Sequence, residues 1–458
     1  MVRIGPTEVS ISDPSATREI YSVKESYRKT PFYTNFVPQR VTNIFSTTDP
    51  DLHRRYRRLL SSPMSETSLH NVYYAAVEAN ANLTIWRIRE EMESRGVADV
   101  FKWWLFMTTD IIGELSFGES FRMLEQKKKN QYILDLEKNG FMGALRATFP
   151  TLIAISSVFP VPVIKHAVAA SARMARYAEE SLARRQRLEA ADPTNAKVTL
   201  FSKIYQAAGD EHLTFKEMRD NAMAYIVAGS DTTATTLTYL VWAVCRHPEV
   251  KATLFKELET LPADEDFTDR ELKQLPYLNQ VIDEALRLYP AVAAGLPRFV
   301  PPGGATLAGH WIEGGVTVSS QSYTLHRNPE AFPQPEVFNP SRWETPTKAM
   351  KDAFFAFGGG SRSTLSSIYL FSTILPLRTQ IEDDHLPVFG IPLVLTVQKV
   401  CLGLHLARME LRLATALFFR AFPTATVSTS EGMSDKDMEP NLHFLISPKG
   451  KRCLIEAH

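Results

Sequence analysis

The sequence has no excess of charge of either sign and very few cysteines. Its 458 residues include 51 Lys and Arg against 51 Asp and Glu, so the formal net charge is zero. Domains that bind nucleic acid usually carry a basic excess, so no nucleic-acid partner is expected. The three cysteines, Cys245, Cys401 and Cys453, form no CxxC pair, which argues against a disulfide framework or a zinc site.

The sequence also lacks long hydrophobic runs. Its most apolar stretches, IYLFSTILPL and LPVFGIPLVLTV, are interrupted by proline and fall short of the roughly 20 residues that span a bilayer. The opening MVRIGPTEVSISDPSA has no apolar segment of the kind found in signal peptides. As written, the chain is expected to carry no membrane anchor and no secretion signal.

Helical patterns dominate what is present. From about Asp49 to Ala208 the texture is helical, with turns predicted at Asp49-Pro50, Phe159-Pro160 and Asp192-Pro193. Strand-like alternation occurs near the start of the chain and between residues 303 and 321. No internal repeat is visible. The sequence therefore predicts a single, mainly α domain over residues 1–458, with small β-sheets gathered at one side.

Three further helices are predicted in the second half. The longest runs from Thr214 to Arg246, because Thr214 and Glu217 form a capping box and His247-Pro248 ends the pattern. At 1.5 Å per residue it is about 50 Å long and crosses the whole domain. The other two are DRELKQLPYLNQVIDEALRLYP, closed by Pro290, and residues 402–422.

The centre of the longest helix, AYIVAGSDTTATTLTYL, is unusual for a helix. Gly229 costs about 1 kcal/mol relative to alanine, and the threonines at 232, 233, 235 and 236 are poor helix formers. Their hydroxyls can bond to carbonyls one turn earlier and open the helix. Asp231 beside Thr232 then suggests a groove where an acid and an alcohol deliver protons to a small ligand. The alternative is a helix that uses Gly and Thr only for close packing.

Two other groups of charged residues are candidates for a structural network and for a ligand site. Glu284 and Arg287 in EALR share a helical face, and Arg342 in FNPSRW can complete a buried Glu–Arg–Arg network that fixes a loop to a helix. His53 and Arg57 in HRRYRR also share a helical face, which suits them to grip a carboxylate-bearing ligand. In isolation, each group is also consistent with an ordinary solvated surface.

The stretch FAFGGGSRS near residue 357 reads as half of a metal-cradling loop. Its other half returns as CLGLHLARMEL at 401–411, after 38 residues from Ser363 to Val400. With residues 364–400 set aside, the sequence becomes F-G-G-G-S-R-x-C-L-G followed by a helix. This resembles the heme-thiolate signature of the cytochrome P450 family, and AGSDTT, EALR, FNPSRW and HRRYR occur in that family's order. Several stretches of the sequence look most like those of filamentous-fungal members of the family, many of which modify secondary metabolites.

The resemblance implies a cytochrome P450 fold, with the long central helix crossing the heme pocket, and roles for particular residues. Cys401 would be the axial thiolate ligand of heme b (iron protoporphyrin IX), held as a thiolate by the helix dipole and nearby amide groups. Asp231 and Thr232 would relay protons to dioxygen. The other residues would bind the heme propionates or shape the cofactor site: His53, Arg57, Arg298, Phe357, Arg362 and Gly403. Glu284, Arg287 and Arg342 would be structural.

The sequence departs from the family pattern in two places. The family tolerates one residue between Arg362 and the cysteine, so 37 residues are in excess. We hypothesise that residues 364–400 are translated intron, which sequencing of the transcript tests; if they are genuine, poor heme incorporation is expected. The second departure is the missing N-terminal anchor. It indicates either a truncated sequence, whose full-length form would be attached to the endoplasmic reticulum membrane, or a soluble cytoplasmic form.

The resemblance implies a monooxygenase that inserts one oxygen atom of O2 into a small apolar organic substrate, as a monomer. Its electrons would come from NADPH through a cytochrome reductase. The pocket would be lined by Ala224, Ala228, residues Val292 to Leu296 and the region near Leu442. One alternative is a catalytically impaired or heme-free variant caused by the insertion. Another keeps heme without O2 activation, as in peroxide-rearranging relatives, but the Asp231-Thr232 pair argues against it.

Overall fold

A computed structural model describes residues 1–22, 26–38, 40–151, 153, 162–192, 197–205, 212–262, 267–359 and 400–457. Arg362, most of the segment 364–400 and the turns predicted at Phe159-Pro160 and Asp192-Pro193 lie wholly or partly outside these ranges. The helices of the first half are α1 (Pro14–Ile20), α2 (Phe32–Phe36), α3 (Pro50–Ser61), α4 (Glu66–Ser68), α5 (Tyr74–Arg95), α6 (Val100–Phe117), α7 (Met123–Gln126), α8 (Gln131–Thr148) and α9 (Pro162–Ala191). Leu69–Tyr73 forms a π-helical turn between α4 and α5.

The second half contains the other long helices. They are α10 (Ser202–Tyr205), α11 (Phe215–Arg246), α12 (Pro248–Leu258), α13 (Asp269–Leu272), α14 (Pro276–Leu288), α15 (Ser322–Leu325), α16 (Lys348–Ala353), α17 (Leu404–Ala421) and α18 (Asp435–Met438). Pro340–Trp343 and Ser430–Gly432 form 3-10 turns. No helix within the described ranges is long and apolar enough to cross a membrane.

The strands are short and form small sheets. They are β1 (Val2–Gly5), β2 (Glu8–Ser10), β3 (Arg28–Lys29), β4 (Ala98–Asp99), β5 (Arg298–Phe299), β6 (Ala305–Leu307), β7 (His310–Ile312), β8 (Thr317–Ser319), β9 (Thr426–Val427), β10 (Pro440–Leu442), β11 (Ile446–Pro448) and β12 (Leu454–Glu456). The largest sheet has the order β1-β2-β8-β5-β3, with β2 and β8 parallel. A second sheet has the order β4-β12-β9, and β6-β7 and β10-β11 are antiparallel hairpins. The prediction of a mainly α fold with small sheets is confirmed.

Helix ends follow the local sequence closely. Thr214 and Glu217 form the predicted capping box of α11, which ends at Arg246. Asp49 caps α3 through its carboxylate, 2.8 Å from the backbone N of Asp51. The single helix predicted before Pro290 is wrong, because α13 ends at Leu272 and α14 starts afresh at Pro276. Proline has no N–H to continue a helix and forces Leu275 into an extended conformation (φ −80°, ψ 104°).

The long helices pack around α11, which runs through the main hydrophobic core. Gly229 allows this close packing, because a Cβ at its position would lie 2.9 Å from Ile112 of α6. A smaller core lies under the five-stranded sheet and includes Ile11, Ile20, Val318 and Phe355. Gly229 therefore serves the close packing of α11 against α6.

Candidate active site

The two halves of the interrupted loop lie side by side. The backbone N–H of Cys401 donates to the carbonyl oxygen of Phe357, with the nitrogen and oxygen 3.0 Å apart. Gly358 and Gly359, which follow Phe357, have φ angles of 69° and 75°, a left-handed conformation that suits glycine. Phe357 and Cys401 therefore meet across the 43 residues that separate them in the sequence.

Cys401 lies three residues before the start of α17. The residue keeps accessible surface, yet protein surrounds its sulfur closely enough that burial raises the pKa of the Cys401 thiol. Both observations hold if the sulfur faces a cavity inside the protein. The Gly403 amide and the charge of Arg57 act in the opposite direction but do not outweigh burial. Burial is therefore the largest influence on the pKa of this thiol, ahead of the amide and the guanidinium.

The central helix α11 forms another wall of the same space. Ala228 is exposed, and Asp231 and Thr232 are partly exposed, in the middle of a helix whose flanking turns are buried. Tyr225 lies one turn before Ala228. It is close enough to Cys401 that a negative charge on the sulfur would raise the pKa of the Tyr225 hydroxyl. The middle of α11 and the thiol loop therefore face a common interior.

The hydroxyl of Thr232 bonds to a backbone carbonyl one turn earlier in α11, as its sequence predicts. Its Oγ1 donates to the carbonyl oxygen of Ala228 at 2.7 Å, and Thr236 repeats the pattern by donating to Thr232 at 3.0 Å. Asp231 next to it lies in a weakly solvated position, and burial raises the pKa of its carboxyl to about 6. Glu137 adds to this rise, whereas Lys451 and Lys129 oppose it. A carboxyl with this pKa exchanges protons readily near neutral pH.

The structure places only part of the predicted basic set beside Cys401. Arg57 of α3 donates from Nη1 to the carbonyl oxygen of Val400 at 2.8 Å and lies near the Cys401 sulfur. His53 precedes Arg57 by one turn of the same helix. Arg298 is held elsewhere, by the Tyr33 hydroxyl and by its contacts with the faces of Tyr21 and Tyr33. Among the described residues, no hydrogen bond or ion pair joins Arg298 to Arg57 or Cys401.

The buried Glu–Arg–Arg network predicted from EALR and FNPSRW is confirmed. Arg287 binds both oxygens of Glu284, at 2.8 and 2.9 Å, and Arg342 binds Glu284 Oε1 from Nε at 3.0 Å. Trp343 donates to Glu284 Oε2 at 2.9 Å. Glu284 and Arg287 are both fully buried. The network fixes the loop that contains Arg342 against α14.

His326 connects this network to the thiol loop, a role that sequence reasoning missed. Its Nδ1 lies 2.9 Å from the carbonyl oxygen of Arg287, and its Nε2 accepts from the backbone N–H of Phe355 at 2.7 Å. The ring is therefore neutral, with its proton on Nδ1. A lone histidine in a sequence has no pattern that would reveal such a role.

Protonation of His326 is expected to destabilise the protein. Burial lowers the pKa of His326 from 6.5 to about 3. Below pH 6.5 the unfolded chain therefore binds a proton that the folded chain refuses, and stability falls as the pH decreases towards 3. The slope is about 1.4 kcal/mol per pH unit. Urea unfolding at a series of pH values measures it.

Comparison with His326→Gln separates this effect from that of the carboxylates. The variant is expected to be less stable at neutral pH, because Phe355 loses its acceptor, but to lack this part of the acid dependence. Equal slopes for the two proteins between pH 6.5 and pH 4 would contradict the assignment.

A second tie between α14 and the thiol loop involves Arg408 of α17. Its Nη2 lies 2.6 Å from the carboxylate of Asp283, and its guanidinium lies 5.6 Å from the centre of the Phe357 ring. On the same helix, Glu410 is buried and hydrogen-bonded to Thr233 of α11, and burial raises the pKa of its carboxyl to about 8. Helix α17, which follows the loop that carries Cys401, is thus linked through polar groups to both α14 and the centre of α11.

The residues present fit a flat cofactor with one thiolate ligand. The thiol of Cys401 lies near Tyr225 of α11, whose middle is partly exposed, and Gly358 and Gly359 give its loop a left-handed backbone that suits glycine. Together, fold and site define a helical enzyme whose reacting centre lies between a central helix and a thiol-bearing loop.

Comparisons with known proteins agree. A sequence profile of the cytochrome P450 family matches residues 1–364, ending where the anomalous segment begins. Cytochrome P450 monooxygenase tazI of Aspergillus terreus is 45% identical over 459 residues, covering 100% of this chain and 86% of that protein. Cytochrome P450 monooxygenase orf2 of Aspergillus niger is 41% identical, covering 100% and 85%. A crystal structure titled as the cytochrome P450DA heme domain superposes with a TM-score of 0.75 at 18% identity, covering 99% of this chain and 89% of that one.

The chain belongs to the cytochrome P450 family. It is a monooxygenase of that family, and the family and fold imply a heme-thiolate centre, O2, an organic substrate and a reductase partner. The alternative of a catalytically impaired variant finds no support in these comparisons.

Proposed function

We propose that this chain binds heme b through Cys401 and oxidises an apolar organic substrate with O2, in fungal secondary metabolism. The observation that carries the proposal is the closeness of Cys401 to Tyr225 of α11, one turn before the exposed Ala228 in the middle of that helix. A heme with a thiolate ligand supplies O2 binding and O–O cleavage when bound. The Cys401 thiol would lose its proton on coordinating the metal, because a metal ion deprotonates a coordinating thiol.

The protein's own residues would hold the cofactor and exclude water. Arg57 and His53 of α3, with Arg298 and Arg362, are the proposed partners of the propionates. Phe357 and Gly403 shape the loop beneath the sulfur, since the Phe357 carbonyl accepts the Cys401 N–H and a Cβ at position 403 would lie 3.8 Å from Sγ. The whole chain would form one domain, with residues 364–400 as translated intron.

Asp231 and Thr232 are the proposed proton carriers. Monooxygenation consumes two protons and two electrons, since one oxygen atom of O2 enters the substrate and the other leaves as water. The Thr232 hydroxyl accepts and donates at the groove, and Asp231, with its raised pKa, takes protons from outside and returns them near neutral pH.

The remaining partners follow from the pocket and the family. Ala224, Ala228 and residues 292–296 offer small or apolar side chains, which favours an apolar substrate. Leu442 at the end of β10 is exposed and would lie at its entrance. NADPH-cytochrome reductase is the proposed electron donor. The chain would work as a monomer, at the endoplasmic reticulum membrane in a full-length form.

Heme content and O2 consumption test this function. Chain purified from cells supplied with heme precursor is expected to carry about one heme and to consume O2 with NADPH and reductase. Asp231→Asn is expected to keep its heme but lose roughly tenfold to a hundredfold in rate, because it cannot carry a proton. Colourless wild-type protein, or an unchanged rate in Asp231→Asn at full heme content, would contradict the respective part of the proposal.

A further inference from the structure

Five aromatic rings form a continuous cluster that adjoins Arg298, one of the proposed propionate partners. Phe32, Tyr33 and Phe36 come from α2, Phe45 from the segment before α3, and Phe444 from the turn between β10 and β11. Ring centres lie 4.8 Å apart for Phe36 and Phe444, 5.2 Å for Tyr33 and Phe45, and 5.7 Å for Phe45 and Phe444. We call this set the five-ring cluster. Four of its members are only partly buried, so it presents aromatic surface to a ligand.

The cluster extends from Arg298 to helix α8. At one end the Arg298 guanidinium lies 4.9 Å from the centre of the Tyr33 ring. At the other end α8 packs directly on Phe36, since a Cβ at Gly143 would lie 2.9 Å from the Phe36 carbonyl oxygen. One turn further along α8, Arg146 donates from Nη2 to that same oxygen at 2.9 Å. Arg146 is thus the cationic group at the far end of the aromatic surface.

Arg146 has no anionic partner in the described part of the chain. Its hydrogen bond to Phe36 is the one the structure records there, and its Nε is buried without an acceptor. Burial lowers the pKa of Arg146, and no carboxylate compensates. Arg146 is only partly buried, but its Nε is buried without an acceptor in the described part of the chain, and such an unsatisfied polar group costs free energy. A ligand that supplies the missing anion removes that penalty.

The sequence around the cluster reinforces the charge imbalance. No Asp or Glu occurs in residues 26–48, 138–178 or 440–455, which contribute the rings and α8 beyond its acidic first part with Asp135 and Glu137. The same stretches contain Arg28, Lys29, Arg40, Lys138, Arg146, Lys165, Arg173, Arg176, Lys449, Lys451 and Arg452. Arg173, Lys449 and Arg452 pair with carboxylates just outside these stretches, and the remaining cations favour an anion at this place.

We propose that Arg146 binds the acidic oxygen group, a carboxylate or an ionised enol, of a substrate whose ring system packs against the five-ring cluster. The proposal rests on the proposed oxygenase function and specifies the substrate class of that site. A planar guanidinium matches a carboxylate in shape and in donors, so it would orient the substrate as well as attract it. The competing explanation is that Arg146 only caps the last carbonyl of α2 and so ties α2 to α8.

Equilibrium dialysis with naphthoate and its neutral isostere naphthamide distinguishes the two explanations. The full chain, as purified from cells supplied with heme precursor, is expected to bind naphthoate roughly tenfold to a hundredfold more tightly than naphthamide. Arg146→Gln keeps a donor for the Phe36 carbonyl but removes the charge, so it should abolish this preference while leaving naphthamide binding within about twofold of wild type. Arg146→Lys should retain part of the preference.

Arg176→Gln is the matched control, because Arg176 is an exposed cation of the same acid-free stretch. It should keep the naphthoate preference in full. No wild-type preference, no measurable binding of naphthoate, equal losses for both probes in Arg146→Gln, or an equal effect of Arg176→Gln would each overturn the proposal. Colourless protein that still prefers naphthoate would refute the oxygenase function alone, whereas heme-loaded, active protein without the preference would refute this inference alone.

Discussion

Cys401→Ser is expected to abolish oxygenation, lowering the NADPH-dependent rate by roughly a thousandfold or more. A serine hydroxyl has a far higher pKa than a thiol and lacks the electron-donating sulfur that favours O–O cleavage. The site offers no substitute: within the described chain the other cysteines, Cys245 and Cys453, are buried at a distance from the thiol loop. The measurement is the absorbance of the reduced, CO-bound protein together with the rate of O2 consumption.

Cys245→Ser is the matched control, since it makes the same atomic change inside α11. Burial raises the pKa of the Cys245 thiol to about 12, so this residue stays neutral and is no rival ligand. The control should keep the thiolate-type spectrum and nearly the wild-type rate. A thiolate-type spectrum that persists in Cys401→Ser would show that another residue ligates the heme.

The central helix and its groove could be read from the sequence because their signals are local. A capping box at Thr214 and a His-Pro pair at residue 247 fix the two ends of α11 through neighbouring residues alone. The backbone contact of Thr232 likewise depends on a carbonyl four residues away. The Glu284–Arg287–Arg342 network was predictable for a different reason. Two members share a helical turn, and the third is a loop arginine in the family's order.

Contacts between distant segments without a motif could not be predicted. His326 contacts Arg287 and Phe355 only because folding brings three separate segments of the chain together. Arg146 looks like any surface arginine until Phe36 is placed beneath α8. The pKa of Cys401 depends on how deeply the sulfur is surrounded, which the sequence does not specify.

The anomalous segment illustrates the same distinction. The sequence shows that residues from Ser363 to Val400 separate two halves of one signature, so poor heme incorporation is expected if the segment is genuine. The Phe357–Cys401 hydrogen bond nevertheless forms at 3.0 Å, and Arg57 holds the Val400 carbonyl at the point where the chain returns. Loop closure depends only weakly on loop length, so these local contacts are compatible with either origin of the segment.

Glu284→Gln is expected to lower the free energy of unfolding by about 3–5 kcal/mol. The amide removes the charge that compensates Arg287 and Arg342 and can accept only on one of its two terminal atoms. Arg287 is fully buried, so water cannot replace the lost carboxylate. Because His326 joins this network to Phe355 and so to the thiol loop, heme should also dissociate faster from the variant. Urea unfolding and transfer of heme to an acceptor protein measure the two effects.

Glu336→Gln is the control, because it also removes a carboxylate from an arginine. Glu336 lies 3.1 Å from Arg327, but its side chain is 70% exposed, so water and ions already screen the pair. Its removal should change stability by about 1 kcal/mol or less. Equal effects of the two substitutions would mean that the buried network adds nothing beyond an ordinary ion pair. If Glu284→Gln is stable and loses heme no faster than wild type, the proposed link between α14 and the loop that carries Cys401 is contradicted.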